Sequence, residues 1–133
     1  MSATLSPTAR NARAVALLAI IDAAVTPATL KIYTTPQPLA GAEVTTQTLL
    51  ASFLLQAPSG SVTGPTLTFD DPDAVQVENN GEANWGRISD GDGNWVIDGN
   101  CGEALSGAFF ILDNTLLLAG GTLSVTTGTL TEV

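Results

Sequence analysis

Residues 87–100 read RISDGDGNWVIDGN, the most polar and most regularly patterned stretch of an otherwise mild, apolar chain. The fold turns on whether this is the tip of a β-ribbon or a cation-binding loop. An EF-hand calcium loop places acidic or amide oxygens at its first, third and fifth positions, a glycine at the sixth and a glutamate at the twelfth. Its sharply bent backbone can then aim about six to eight oxygens at one ion. Counting from Asp90, Asp92 and Asn94 stand where they should, but Trp95 takes the place of the glycine and Cys101 that of the glutamate. A tight turn accounts for more of the pattern. With Asp92-Gly93 as the two central residues of a type I′ turn, both at positive φ, Ile88 meets Ile97 and Arg87 meets Asp98 across the ribbon. One face then carries an apolar pair and the other an ion pair. The hairpin is the expectation; a weak divalent site on Asp90, Asp92 and Asn94 is its alternative.

In this register Trp85 and Trp95 fall on opposite faces of the ribbon. Core packing is the expected fate of each. If either stays exposed, a partner surface is the natural explanation, because aromatic rings are enriched at the centres of interfaces.

Upstream of the ribbon, Ser6-Pro7 has the form of a helix start: a serine oxygen for an orphan N–H, then proline at the first helical position. The Ala-, Leu- and Arg-rich run from Pro7 to about Ala24 predicts one helix, stopped by Thr26-Pro27. Leu17, Ile20, Ile21 and Ala24, widened by Ala14 and Leu18, form its apolar stripe, expected to face the core or a neighbouring subunit. Beyond residue 28 the periodicity changes to two and the composition to Thr, Val, Leu, Gly and Pro. Strands are predicted at Thr29–Thr34, Thr48–Gln56, Thr66–Phe69, Ala74–Glu78, Ala83–Ser89, Asn94–Asp98, Ala108–Leu112 and Thr122–Thr127. Turns at Pro36-Gln37-Pro38, Pro58-Ser59-Gly60, Asp71-Pro72-Asp73 and Gly120-Gly121 separate them. The expected fold is mainly β: a β-sandwich or jelly-roll-like barrel with one N-terminal α-helix. Residues 1–133 form a single domain, with an N-terminal arm and helix over 1–27 and a β-sandwich body over 28–133.

A chain of 133 residues is long enough to bury roughly two thirds of its unfolded surface without covalent staples. It has no histidine and a single cysteine, so no intramolecular disulfide, no Cys/His zinc cluster and no histidine-based triad can form. The net charge of −9 repels phosphate backbones and anionic lipid, and neither nucleic acid nor membrane is expected as a partner. That charge is uneven. Arg10, Arg13 and Lys31 against Asp22 give residues 1–31 a net +2, whereas residues 32–133 hold Arg87 against twelve carboxylates, a net −11. The apolar run from Ala14 to Ile21 is about half of what a bilayer needs; preceded by two arginines it resembles the apolar part of a secretion signal, but Asp22 ends the run and the neighbouring residues fit helix capping better. A soluble, cytosolically made protein is expected.

Candidate chemistry is sparse. Asp70, Asp71 and Asp73 in FDDPDA read as a solvated turn around Pro72, not as paired catalytic carboxylates. Cys101, between Asn100 and Gly102, lacks a basic neighbour to activate it and is expected to be a packed thiol. Arg10 and Arg13 lie one turn apart near the positive end of the helix dipole, where cations are mildly unfavourable. A solvated face is the ordinary outcome for such a pair; an acidic partner is the alternative. No catalytic, cofactor or metal residues are assigned, and no cofactor is expected.

The order of motifs along the whole chain is itself distinctive: TARNARAVALLAIIDA (8–23), TLKIYTTPQP (29–38), LLASFLL (49–55), ANWGRISDGDGNWVIDGN (83–100) and LLAGGTLSVTTGTLTE (117–132). It resembles a group of small structural proteins of tailed bacteriophages and prophages. In that group an R-N-A-R helix leads into a T-L-K-I-Y strand, and a W-x-R-I-x-D-x-x-G hairpin and a G-G-T-x-x-V-T ending recur. The resemblance implies a virion component, a capsid decoration or minor head protein on the capsid exterior, made in the host cytoplasm. It implies noncovalent contacts with the major capsid protein and a cyclic homo-oligomer such as a trimer. Partner contacts are then expected at Arg10, Arg13, Leu17, Trp85 and Trp95, with Met1 to Arg13 reaching a neighbour. A tail or head-to-tail junction protein, or a carbohydrate- or host-surface-binding module using Trp85 or Trp95, are the alternatives. Cys101 departs from the group's pattern, where small residues are more usual.

Overall fold

A computed structural model describes residues 3–39 and 41–131; Met1, Ser2, Ala40, Glu132 and Val133 lie outside the described residues. The protein is mainly β, with 38% of the described residues in strands and 12% helical, one N-terminal helix and a curled sheet that forms a half-barrel. The fold class expected from the period-two patterning therefore holds.

Helix α1 runs Pro7–Ile21, and the Oγ of its N-cap Ser6 accepts the Ala9 N–H at 3.1 Å. It stops at Ile21, three residues before Ala24 and well ahead of Thr26-Pro27. Asp22 is the reason: its backbone N–H closes the last turn on Leu18 O at 3.0 Å, and its carboxylate accepts the Ser59 N–H at 3.2 Å. That bond ties the end of the helix to the strand region and turns the chain away. The buried stripe is also rotated from the expected one. Ala14 and Ile21 are buried and Leu17 and Leu18 pack partly buried against the core, the i, i+3, i+4, i+7 set. Ile20, expected in the stripe, stands 54% exposed.

Among the described residues thirteen short strands follow: β1 Thr29–Tyr33, β2 Leu49–Leu54, β3 Gly60–Thr63, β4 Thr66–Phe69, β5 Val75–Gln76, β6 Gly81–Glu82 and β7 Trp85–Ser89, then β8 Trp95–Gly102, β9 Phe110–Leu112, β10 Leu116–Leu117, β11 Thr122–Leu123, β12 Val125–Thr127 and β13 Thr129–Thr131. The main sheet has the order β12-β9-β8-β7-β1-β2, antiparallel except for β8 beside β9. A second sheet, β13-β4-β3, faces α1, and two two-stranded ribbons, β10-β6 and β11-β5, complete the described set. Between the layers lie Leu30, Ile32, Ala51, Phe53, Ile88, Phe110, Leu67 and Ile21, all nearly or fully buried and part of one cluster.

Several strand boundaries differ from the sequence expectation. Gly60, read as part of the Pro58-Ser59-Gly60 turn, opens β3, and the predicted Thr122–Thr127 strand splits at Ser124 into β11 and β12 because the two halves pair with different partners, β5 and β9. The strand predicted to end at Asp98 continues to Gly102, where Cys101 and Gly102 pair in parallel with Phe110 and Ile111.

Candidate interaction surface

The RISDGDGNWVIDGN ribbon is a hairpin of β7 and β8, with Arg87 opposite Asp98 and Ile88 opposite Ile97 as the alternation requires. Its turn differs from the expected one. Among the loop residues only Gly93 has a positive φ, +88°; Asp92 does not. The Gly93 N–H bonds to Asp90 O at 3.0 Å and the Asp90 N–H to Asn94 O at 2.9 Å, which makes a three-residue loop ending in a left-handed glycine. Such a loop shifts the pairing by one residue, placing Ser89 opposite Trp95. A bulge with Val96 as the extra residue then shifts it back, so that Ile88 meets Ile97. Two local deviations cancel, and the register survives.

The bulge has one consequence that the ideal ribbon lacks: Trp95, now opposite Ser89, points to the same face as Arg87 and Trp85. The expected placement of the tryptophans on opposite faces is thereby corrected. On this outer face Trp85 is fully buried, stacked on Tyr33 at 4.7 Å between ring centroids, with its Nε1–H donating to Thr34 O at 2.9 Å. The Arg87 guanidinium lies 5.2 Å from the Trp85 ring centroid and donates to Asp98 at 2.7 and 3.0 Å, and to Ala42 O at 2.8 Å. The bond to Asp98 raises the Arg87 pKa still further, and burial raises that of Tyr33 against the lowering effect of Arg87.

Among the described residues, 35–39 and 41–47 form a strap on this outer face, where Gly41 and Ala42 meet Asp98, Trp95 and Arg87. Its base is closed by the Thr34 N–H to Thr48 O and the Thr48 N–H to Thr34 Oγ1, and its interior by Gln47 Nε2 donating to Pro36 O at 2.6 Å. The Gly41 N–H bonds to Asp98 Oδ2 at 3.3 Å, and Gly41 lies so close to Trp95 that a Cβ there would come within 2.6 Å of the ring. One side of Trp95 is thus covered and the residue remains 45% exposed. The pairings Trp95–Ser89, Ser89–Thr29 and Thr29–Leu54 place Trp95 and the 63% exposed Leu54 at the two ends of one row across this face.

At the loop tip, Asp90 Oδ1 accepts the N–H groups of Asp92 and Asn94 at 3.0 and 2.9 Å, and Oδ2 accepts Asn94 Nδ2 at 3.2 Å. These bonds, led by Asn94, hold the Asp90 carboxyl below the usual carboxylate range. The Asp90 oxygens that the calcium alternative would use are turned inward to the loop's own N–H groups. Among the described residues no group of three or more His, Cys, Asp or Glu side chains gathers as a metal cage. Burial pushes the Cys101 thiol up to about 12, as expected of a packed thiol.

The remaining sequence-predicted contact residues are elsewhere. Arg10, Arg13 and Leu17 lie on α1, against β3 and β4, and the Asn11 side chain fastens the helix to Gly64 O at 2.7 Å. From Pro7 onward the expected arm is therefore docked helix. Leu17 is partly buried against the core, Arg10 is half-buried with its Nε enclosed and unbonded among the described residues, and Arg13 is exposed. Sequence reasoning missed Leu54 and the strap; Pro36-Gln37-Pro38 was legible as a turn, but nothing marked Gln47 as its internal fastener. Comparison of the chain with protein-family models, with curated proteins and with solved structures found no match. Among the described residues no helix is long and apolar enough to cross a membrane.

Proposed function

We propose that this protein is a structural component of a tailed-phage virion that decorates or cements the capsid through noncovalent contacts with the major capsid protein. The phage context rests on the order of motifs along the chain. A contact role is carried by one observation: Trp95 packs one side of its ring against Gly41 of the strap, which Asp98 fastens, yet stands 45% exposed on the outer face. A large ring packed on one side before binding has less side-chain freedom to lose on docking than one fully in solvent, which suits an interface anchor. The net charge of −9 keeps such a surface away from packaged nucleic acid. Binding, not turnover, is the proposed activity, and a thiol at about 12 is protonated and poorly nucleophilic at neutral pH.

Purified particles test this. Many copies on the icosahedral shell, reduced in occupancy by Trp95→Ala, is the expected result; absence of the protein from particles ends the proposal. Density at a vertex or along the tail would move the role to the head-to-tail junction or tail. The half-exposed Trp95 also favours a second reading, a carbohydrate-binding module in which the free side of the ring stacks on a sugar. That reading requires saccharide binding that disappears in Trp95→Ala, and a flat titration of the intact protein removes it.

A further inference from the structure

Helix α1 is apolar on both sides. Opposite its buried stripe, the exposed positions Ala12, Val15, Ala16, Ala19 and Ile20 cover an arc of about 140° at 100° per residue, with exposed Ala23 just beyond the helix end. Val15 and Ile20 are 49% and 54% exposed, and the only charges in residues 12–23 are Arg13 and Asp22, one on each border of the arc. A helix that is apolar all round is normally buried on all sides. This one is covered on one side only.

The sequence of the open face indicates what covers it. Read from the midpoint between Leu17 and Leu18, its centre has the same pattern of small and branched residues in both directions: Ala16 mirrors Ala19 and Val15 mirrors Ile20. A two-fold axis at that midpoint, which makes two copies of α1 antiparallel, sets a small residue level with a small one and a branched one level with a branched one. Such a patch is self-complementary in the sense an isologous interface requires. Charge agrees with this sense of pairing. The antiparallel arrangement sets the cationic end of one helix, with Arg10 and Arg13, beside the carbonyl end and Asp22 of the other; a parallel pair would set like ends together. The alanines at the centre also allow the two backbones to approach closely.

We infer that the open face of α1 is a two-fold docking surface for a second copy of this chain, with the helices antiparallel and Ala16 and Ala19 at the crossing. The inference does not rest on the virion reading: it concerns the pure chain in solution and fails or stands there, whereas the virion reading fails or stands on particles. Two-fold pairing is also the smallest cyclic assembly.

Sedimentation of the purified protein over a concentration series is expected to show association to twice the 13.6 kDa chain mass. Ala19→Glu, at an exposed position, is expected to abolish association while leaving the thermal melt of the chain intact. If Ala19→Glu fails to fold, cross-linking supplies the test. Mixed Ala16→Cys and Ala19→Cys chains should form a disulfide dimer. Ala12→Cys alone should not, since an antiparallel pair holds its two copies about 16 Å apart along the axis, and a disulfide spans less than about 7 Å between Cα atoms. A wild-type chain that stays monomeric, a dimer that survives Ala19→Glu, or efficient self-cross-linking of Ala12→Cys would each overturn the inference.

Discussion

Arg87 joins three parts of the molecule: the ribbon through Asp98, the aromatic pair through the Trp85 ring, and the strap through Ala42 O. The ion pair is largely out of water, with side chains 12% and 5% exposed. Removing one partner strands the other's charge, so Asp98→Ala is expected to cost about 3 kcal/mol in urea unfolding. Replacing both, as Arg87→Met with Asp98→Leu, should cost less than either change alone. Cys101 carries a second residue-scale prediction. With its thiol at about 12, alkylation near pH 8 should be slow in the native protein and become fast on unfolding in urea. At Asp90 the sign follows from a lowered carboxyl pKa. Its contribution is present above the ordinary aspartate value of about 3.9 and is lost as pH falls through the folded value. The melting midpoints of wild type and Asp90→Ala should therefore differ at pH 6 and draw together as the pH falls below the ordinary aspartate range. Excess chelator is expected to leave the wild-type midpoint unmoved.

The hairpin shows what a sequence can and cannot reveal about a single element. Alternation of Arg87, Ile88, Ile97 and Asp98 identified the register, because misplacing it by one would turn the ion pair into the core. The turn type was not legible, since Asp-Gly suits a two-residue turn as well as the second half of a three-residue one. The bulge at Val96 left no local mark, and with it went the face of Trp95. Gly93, at φ +88°, is now the residue that the loop depends on; Gly93→Ala should cost about 1–2 kcal/mol, whereas Asp92→Ala should be nearly silent in the same melt. The helix was legible for similar reasons. Ser6-Pro7 and the Ala-rich run fixed its start, but its end depends on Asp22 meeting Ser59, 37 positions away, and no local pattern encodes that.

At the scale of the whole molecule, the mainly β class and the single helix followed from the change of period near residue 28, while the sheet order did not. Two-residue strands such as β6 and β10 carry too little alternation to announce themselves, and the parallel contact of β8 with β9, where Cys101 pairs with Phe110, joins segments whose spacing in sequence carries no mark of it. The core is shared: Ile21 from the helix meets the same cluster as Phe53 and Phe110. Phe53→Ala should therefore lower stability by about 3–5 kcal/mol in one cooperative transition that includes the helix signal in circular dichroism. The unequal burial of Trp85 and Trp95 gives the molecule two native optical reporters. Trp85, sealed between Tyr33 and Arg87, should emit to the blue and resist acrylamide, while Trp95 should emit to the red and be quenched readily. Anything that settles on the outer face would silence the quenching of the second without disturbing the first, so occupancy there can be followed by fluorescence with no label attached.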